Sequence, residues 1–238
     1  MLIPESIVDQ ATIVNNLREK GWAHAGCLQP NLLIEYRDYL DRCSWYNYHV
    51  KGGQTNPISD RTQAPSNCSS VSMHDVILAP HWFEMSLQMS EIVKDYFNTK
   101  NMILYSYNAF YSNPEGPGYT GVQNWHTDFD SENFVALFMY LTDVMVIEDG
   151  PHAFEERNGT RVDIFGPAGT MFFADTRCMH MGHKPKNKPR GLTWARWSTD
   201  PNQRTYSIDG LSPIDRSLIG DRFPKDTVLQ NIIRKVVC

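Results

Sequence analysis

The chain has few cysteines, no long apolar run and no surplus of basic charge, and each shortage excludes a class of protein. Its five cysteines, Cys27, Cys43, Cys68, Cys178 and Cys238, are odd in number and widely spaced, with no CxxC pair. That pattern excludes a disulfide framework or a zinc finger and predicts reduced, mostly structural thiols. The opening "MLIPESIVDQATIVNNLREK" mixes carboxylates with apolar residues and lacks the basic region and apolar block of a leader peptide. No later run approaches the length of a membrane span. Basic residues number 22 against 27 acidic ones, for a net charge of −5, and both signs are scattered along the chain. A nucleic-acid binder or a polybasic membrane-surface protein would carry a basic footprint that is missing here. These shortages predict a cytoplasmic protein with a small-molecule partner, no nucleic acid and no membrane.

What is present is enough for a full core: 238 residues, 41% of them apolar, fit one large domain better than two small ones. Residues 1–100 read mainly as helical cover and loop. "PESIVDQATIVNNLREKG" has apolar residues at helical spacing and stops at Lys20 and Gly21, while "QPNLLIEYRDYLDRCSWYNYH" and "PHWFEMSLQMSEIVKDYFN" each carry proline near the start. Between them, residues 51–75 are rich in Gly, Pro, Ser and Asn without periodicity, which predicts a long loop acting as a mobile lid over a pocket. From Asn101 the texture changes. "NMILYSYNAFYSN", "NFVALFMYLTDV", "RVDIFGPAGTMFFAD" and "RGLTWARWST" are short, aromatic or β-branched, and divided by turn signals such as "PEGPGYTG" and "EDGP". Residues 101–200 are therefore expected to form an antiparallel β-core of sandwich or barrel type, and residues 201–238 a turn and a closing helix.

The chemistry is concentrated in "QNWHTDFD". On a helix, side chains two residues apart point in nearly opposite directions, whereas on a strand they share a face. His126 and Asp128 therefore meet at one ion only if "WHTD" is extended. A third ligand from another strand would complete a two-histidine, one-carboxylate set, which suits Fe(II) and leaves adjacent positions open for oxygen chemistry. "FFADTRCMHMGHKPKNKPRGL" offers His180 and His183. His180 is favoured because it follows the apolar strand closely, while His183 lies past Gly182 in a run of Lys and Pro; an exchange of the two stays open. Arg190 opens the next apolar segment, where a planar guanidinium can hold a carboxylate through two hydrogen bonds, as a dicarboxylate cosubstrate requires.

On "GVQNWHTDFD", "LFMYLTDV", "DGPHAF", "AGTMFFADTRCMHMG" and "PRGLTW", the C-terminal two thirds of the chain resembles the phytanoyl-CoA dioxygenase family of Fe(II)/2-oxoglutarate oxygenases. The family's HxD…H…R order maps onto His126, Asp128, His180 and Arg190. The resemblance implies a mostly β protein with N-terminal helices around a double-stranded β-helix, the cupin-like jelly roll. It implies Fe(II) held by His126, Asp128 and His180, and 2-oxoglutarate as cosubstrate with its distal carboxylate on Arg190. It further implies molecular oxygen and a small organic molecule as the other reactants. Hydroxylation with release of succinate and CO2 is the expected reaction. Halogenases related to the family replace the carboxylate ligand by Ala or Gly, and the presence of Asp128 argues against that chemistry. "EERNG" stands where family members often carry a "PGSH" turn, and the helical regions offer no match that would name the substrate.

Plainer roles compete at several positions. Tyr140 and Asn108, on strands expected to line the core, are candidate donors to the cosubstrate carboxylates, against the roles of core tyrosine and turn asparagine. Asn124 shares a strand face with His126 and either touches a substrate or bonds a strand edge. Trp125, Phe129, Phe134, Leu137 and Phe138 are expected to pack in the core, and "HKPKNKPR" to be solvated. Two rival classes stand beside the oxygenase: a catalytically silent cupin-like binding protein and a hydrolytic zinc enzyme.

Overall fold

The computed structural model describes residues 9–47, 57–64, 68–114 and 121–200. In chain order they form α1 (Gln10–Lys20), β1 (Trp22–Cys27), α2 (Pro30–Arg42), β2 (Trp45–Asn47), β3 (Cys68–Val71), α3 (Met73–Leu78) and α4 (Trp82–Phe97). The β-rich part follows as β4 (Ile103–Ser112), β5 (Phe134–Tyr140), β6 (His152–Glu155), β7 (Arg161–Ile164), β8 (Thr170–Ala174), β9 (His180–Gly182) and β10 (Arg190–Ser198).

The helix signals act where the sequence places them. The Asp9 carboxylate accepts the Thr12 N–H at 3.1 Å and opens α1, and Gly21, left-handed at φ 90°, closes it by returning its N–H to Leu17. Pro30 starts α2, whose buried Leu32, Leu33, Tyr36 and Leu40 lie along one face. Asn98 takes the left-handed cap of α4.

Seven strands make one antiparallel sheet in the order β1-β8-β5-β10-β4-β3-β2, and a smaller sheet is ordered β7-β6-β9. Alternation along each strand divides the core in two. In β5, Val135, Leu137 and Met139 join Trp197, Phe173 and the apolar faces of α1, α2 and α4 in the cluster under the helices. Ala136, Phe138 and Tyr140 turn the other way, toward Phe154 and Ile164 of the small sheet, with Phe110, Phe172, Leu192 and Trp194. Strands covered on both faces read as continuous apolar runs, which is why "FVALFMY" shows no polar alternation. Two facing antiparallel sheets with a helical layer are a jelly-roll core with N-terminal helices, as expected.

The N-terminal part differs from the expectation in one respect: it also supplies three strands. β1 and β2 form the two edges of the large sheet and β3 pairs with β4. "WAHAGC" and "CSSV" carry little β-propensity of their own, and pairing with β8 and β4 makes them strands. The long loop is correspondingly shorter than expected. β3 is fully buried, and Ser72 caps α3 by accepting the Asp75 N–H. Of the expected lid, 51–56 and 65–67 lie outside the described residues, as does the closing helix expected in 201–238. Among the described residues no helix is long and apolar enough to cross a membrane.

Candidate metal centre

His126 and Asp128 lie on an extended segment, although not in a named strand. His126 forms an isolated antiparallel bridge with His180, each N–H bonding the other's carbonyl at 3.0 and 2.9 Å, and the Asp128 N–H bonds the Thr176 carbonyl at 2.9 Å. The backbone bridge itself therefore brings the first histidine to the third ligand. His180 begins β9 and pairs with Phe154 of β6, so its side chain enters the space between the sheets.

The three donor groups converge. Asp128 Oδ1 lies 3.8 Å from His126 Nε2, its Oδ2 lies 3.7 Å from His180 Nε2, and all ligand atoms fall within 4.8 Å of one another. Each ring is oriented by a carbonyl: His126 Nδ1–H donates to Asn124 at 2.7 Å, and His180 Nδ1–H to Cys178 at 3.0 Å. Both Nε2 lone pairs are thereby left for an ion. Burial pushes His180 down to about 4, which keeps the ring neutral as a ligand must be. Burial opposes ionisation of Asp128, but the Arg196 guanidinium and the neighbouring histidines outweigh it and hold the carboxyl below its ordinary range. Exposure rises from 3% at the His180 side chain to 18% at Asp128 and 26% at His126, so the cluster opens toward solvent on the His126 side.

Arg196 is the support that sequence reasoning missed. Its Nη2 donates to Asp128 at 2.7 Å and its Nη1 to Asp130 at 2.8 Å, and Asp130 also accepts the Tyr105 hydroxyl. Its guanidinium lies 5.0 Å from the centre of the Trp194 ring. The signal was available, because Arg190 and Arg196 are six apart in "RGLTWARWS", an even separation that puts them on one face of β10.

Arg190 is 1% exposed. Its Nη1 donates to the carbonyls of Gly150 and His183 and its Nη2 to Ser112 Oγ at 3.2 Å, while Nε has no hydrogen-bond partner among the described residues. No carboxylate of the described residues pairs with it. An interior cation without a counter-ion is costly, and an anionic ligand would relieve that cost. Distance to the metal cluster follows from register: Phe154 pairs with His180, and the next inward pair is His152 with Gly182, against which the Arg190 guanidinium lies. On the β9 backbone, His180 of the cluster and Gly182 beside the guanidinium are one two-residue strand step apart, about 6.6 Å, a spacing that suits a short diacid. The donor set and this spacing both fit iron and 2-oxoglutarate.

Other expected positions fare differently. The Tyr140 hydroxyl gives its one proton to the Ile164 carbonyl at 2.7 Å and accepts the His152 N–H at 2.9 Å, leaving none for a cosubstrate. Asn108 faces the inter-sheet space in register with Trp194, four pairs along β4 from the Ser112–Arg190 pair, and its buried Oδ1 has no hydrogen-bond partner among the described residues. His183 turns outward, its Nε2 3.0 Å from Asp163, and the three converging groups are His126, Asp128 and His180. Asn124 is exposed and serves His126 through its carbonyl. Phe129 is 89% exposed and is not a core residue, because the residue after Asp128 faces away from the cluster on an extended chain. Trp125 lies under the Arg161 guanidinium. In the basic run, Lys186 and Lys188 are answered by Glu148 and Asp149.

No protein-family model matches the chain, and no curated protein sequence matches it. Solved structures do. The non-haem α-ketoglutarate-dependent carbocyclase SnoK from nogalamycin biosynthesis superposes with a TM-score of 0.63 at 16% identity, covering 88% of this chain and 95% of its own. A member of the 2OG-Fe(II) oxygenase family from Burkholderia pseudomallei gives 0.60 at 10% identity, covering 86% and 99%. HygX from Streptomyces hygroscopicus, solved with nickel, 2-oxoglutarate and hygromycin B, gives 0.58 at 14%, covering 79% and 86%. The chain shares the jelly-roll fold of these non-haem, 2-oxoglutarate-dependent enzymes. At such identities the likeness is one of fold.

Proposed function

We propose that this protein is a cytoplasmic, non-haem Fe(II)- and 2-oxoglutarate-dependent dioxygenase of the phytanoyl-CoA dioxygenase type, hydroxylating a small organic molecule. The observation that supports this reading is the pairing of a two-histidine, one-carboxylate cluster with a buried arginine that has no carboxylate partner among the described residues and lies against Gly182, one strand step from His180. Bound Fe(II) and 2-oxoglutarate supply, with O2, the oxidising equivalent for a C–H bond, the cosubstrate leaving as succinate and CO2. His126, His180 and Asp128 hold the ion. The carbonyls of Asn124 and Cys178 fix the imidazole tautomers, and Arg196 anchors Asp128 through Oδ2, the oxygen beside His180, while Oδ1 faces His126. Arg190 receives the distal carboxylate in a site lined by Phe138, Phe172 and Leu192, which exclude water and strengthen that charge pair.

The deciding experiment adds Fe(II) and then 2-oxoglutarate anaerobically, followed by air. A visible metal-to-ligand charge-transfer band and then succinate are expected, and both should vanish in His180→Ala. Tight zinc binding with no iron-dependent succinate would instead favour a hydrolytic site. 2-Oxoglutarate binding without succinate, with any candidate substrate, would favour a binding protein. Because structural neighbours include an epimerase and a carbocyclase, mass analysis of the product distinguishes oxygen insertion from loss of hydrogen or mass-neutral inversion.

A further inference from the structure

His152 is buried, and neither ring nitrogen has a hydrogen-bond partner among the described residues. A neutral imidazole has one N–H to give and one lone pair to fill, so leaving both idle in an interior that otherwise pairs its polar groups points to a missing ligand. The ring's place says which ligand. It stacks on His180 with centroids 5.5 Å apart and 19° between planes, and Phe138 and Phe172 flank it at 4.9 and 5.7 Å. On β6 it pairs with Gly182, whose absent side chain leaves room for the Arg190 guanidinium. Gly150, two residues earlier, gives its carbonyl to Arg190, and the His152 N–H is fastened to Tyr140. The imidazole therefore stands on the path between the metal cluster and Arg190.

We propose that His152 is a second cosubstrate-binding residue, its imidazole N–H donating to the distal carboxylate of 2-oxoglutarate that Arg190 also holds. This rests on the oxygenase reading above. A single arginine recognises any anion of the right reach, whereas a fixed N–H between it and the cluster, walled by two phenylalanines, selects a carboxylate at one distance from the ion.

The test uses the full-length Fe(II)-loaded protein under anaerobic conditions, as wild type, His152→Phe and His152→Gln, titrated with 2-oxoglutarate and with 2-oxovalerate. The latter has the same carbon count, with a methyl group in place of the distal carboxylate. His152→Phe should weaken 2-oxoglutarate binding about 10- to 100-fold and change 2-oxovalerate binding by less than about twofold, with iron content unchanged. His152→Gln, which keeps an N–H, should recover part of the loss. A second measurement needs no variant: in the Zn(II)-loaded protein carrying 15N-histidine, the His152 N–H resonance should shift with 2-oxoglutarate and stay in place with 2-oxovalerate. Wild-type affinity in a folded His152→Phe protein, an equal loss for both acids, or an unmoved resonance would overturn the assignment while leaving the oxygenase reading intact. Failure of the wild type itself to bind 2-oxoglutarate overturns both.

Discussion

Arg190 and Arg196 sit on the same strand face and carry the same charge, yet their surroundings give them opposite tasks. Arg196 is neutralised by Asp128 and Asp130 and belongs to the folded protein's own charge network. Arg196→Leu should therefore release the Asp128 carboxylate and lower iron affinity about 10- to 100-fold, measured by competitive metal titration, with Arg196→Lys intermediate. Among the described residues Arg190 has no such partner, and its removal should act on the ligand instead. Arg190→Ala should keep its iron and lose about 30- to 1000-fold in 2-oxoglutarate affinity, a loss of about 2–4 kcal/mol, with Arg190→Lys recovering part. Arg190→Met should leave the ligand-free protein at least as stable as wild type, because an apolar chain of similar length replaces an uncompensated interior cation. Thermal unfolding with and without 2-oxoglutarate checks this: the cosubstrate should raise the wild-type Tm and leave the variant unmoved. His180 supplies a pH dependence. Its folded pKa, about 4, lies below the unfolded value near 6.5, so the unfolded chain binds the extra proton between them. The metal-free protein should lose stability as pH falls through that window, by up to about 3 kcal/mol from this group. Chelator-treated protein unfolded by urea at pH 7 and pH 5 measures it, and equal midpoints would contradict a buried neutral imidazole.

At the scale of elements, β9 shows how a short strand can be legible at one residue and not at another. His180 was legible from its place after an apolar strand, but the role of Gly182 was not. A Cβ on Gly182 would stand 2.7 Å from Arg190 Nη2, so the glycine leaves the space that the guanidinium occupies against β9. Gly182→Ala should displace Arg190 and weaken 2-oxoglutarate binding while leaving iron in place. Calorimetry on the iron-loaded variant tests it, and an unchanged Kd would show that the guanidinium has room elsewhere. Helix ends were legible for a local reason: Asp9, Gly21 and Pro30 act through their own backbone neighbourhood. β1 and β3 were not, because "WAHAGC" and "CSSV" become strands only against β8 and β4, which are distant in sequence.

Across the whole molecule, the large sheet separates stability from chemistry. One face carries Trp197, Leu137 and Phe173 under the helices, and Trp197 Nε1 donates to Ser90 Oγ of α4 at 3.0 Å, tying the helical layer to the central strand. Trp197→Ala should cost about 3–5 kcal/mol in denaturant unfolding. Iron and 2-oxoglutarate affinities of the folded fraction should barely change, since the neighbouring Arg196 points to the other face; a matching loss of affinity would show that the faces are coupled.

The sequence by itself determined the ligand types, the need for an extended "WHTD", the helix boundaries near Gly21 and Pro30, and a β-rich second half. All of these follow from local rules, a two-residue period or a capping side chain, that operate within a few residues. Only the tertiary structure decided that His180 rather than His183 joins the cluster, that Tyr140 spends its proton on Ile164, that Phe129 is exposed, and that Arg196 braces Asp128 while Arg190 has no counter-ion among the described residues. Those outcomes depend on which strand lies across from which, and on how a two-residue step of register turns into a distance between charges. Pairing across a sheet is a property of separated segments meeting, and a side chain's partner is fixed only once they have met.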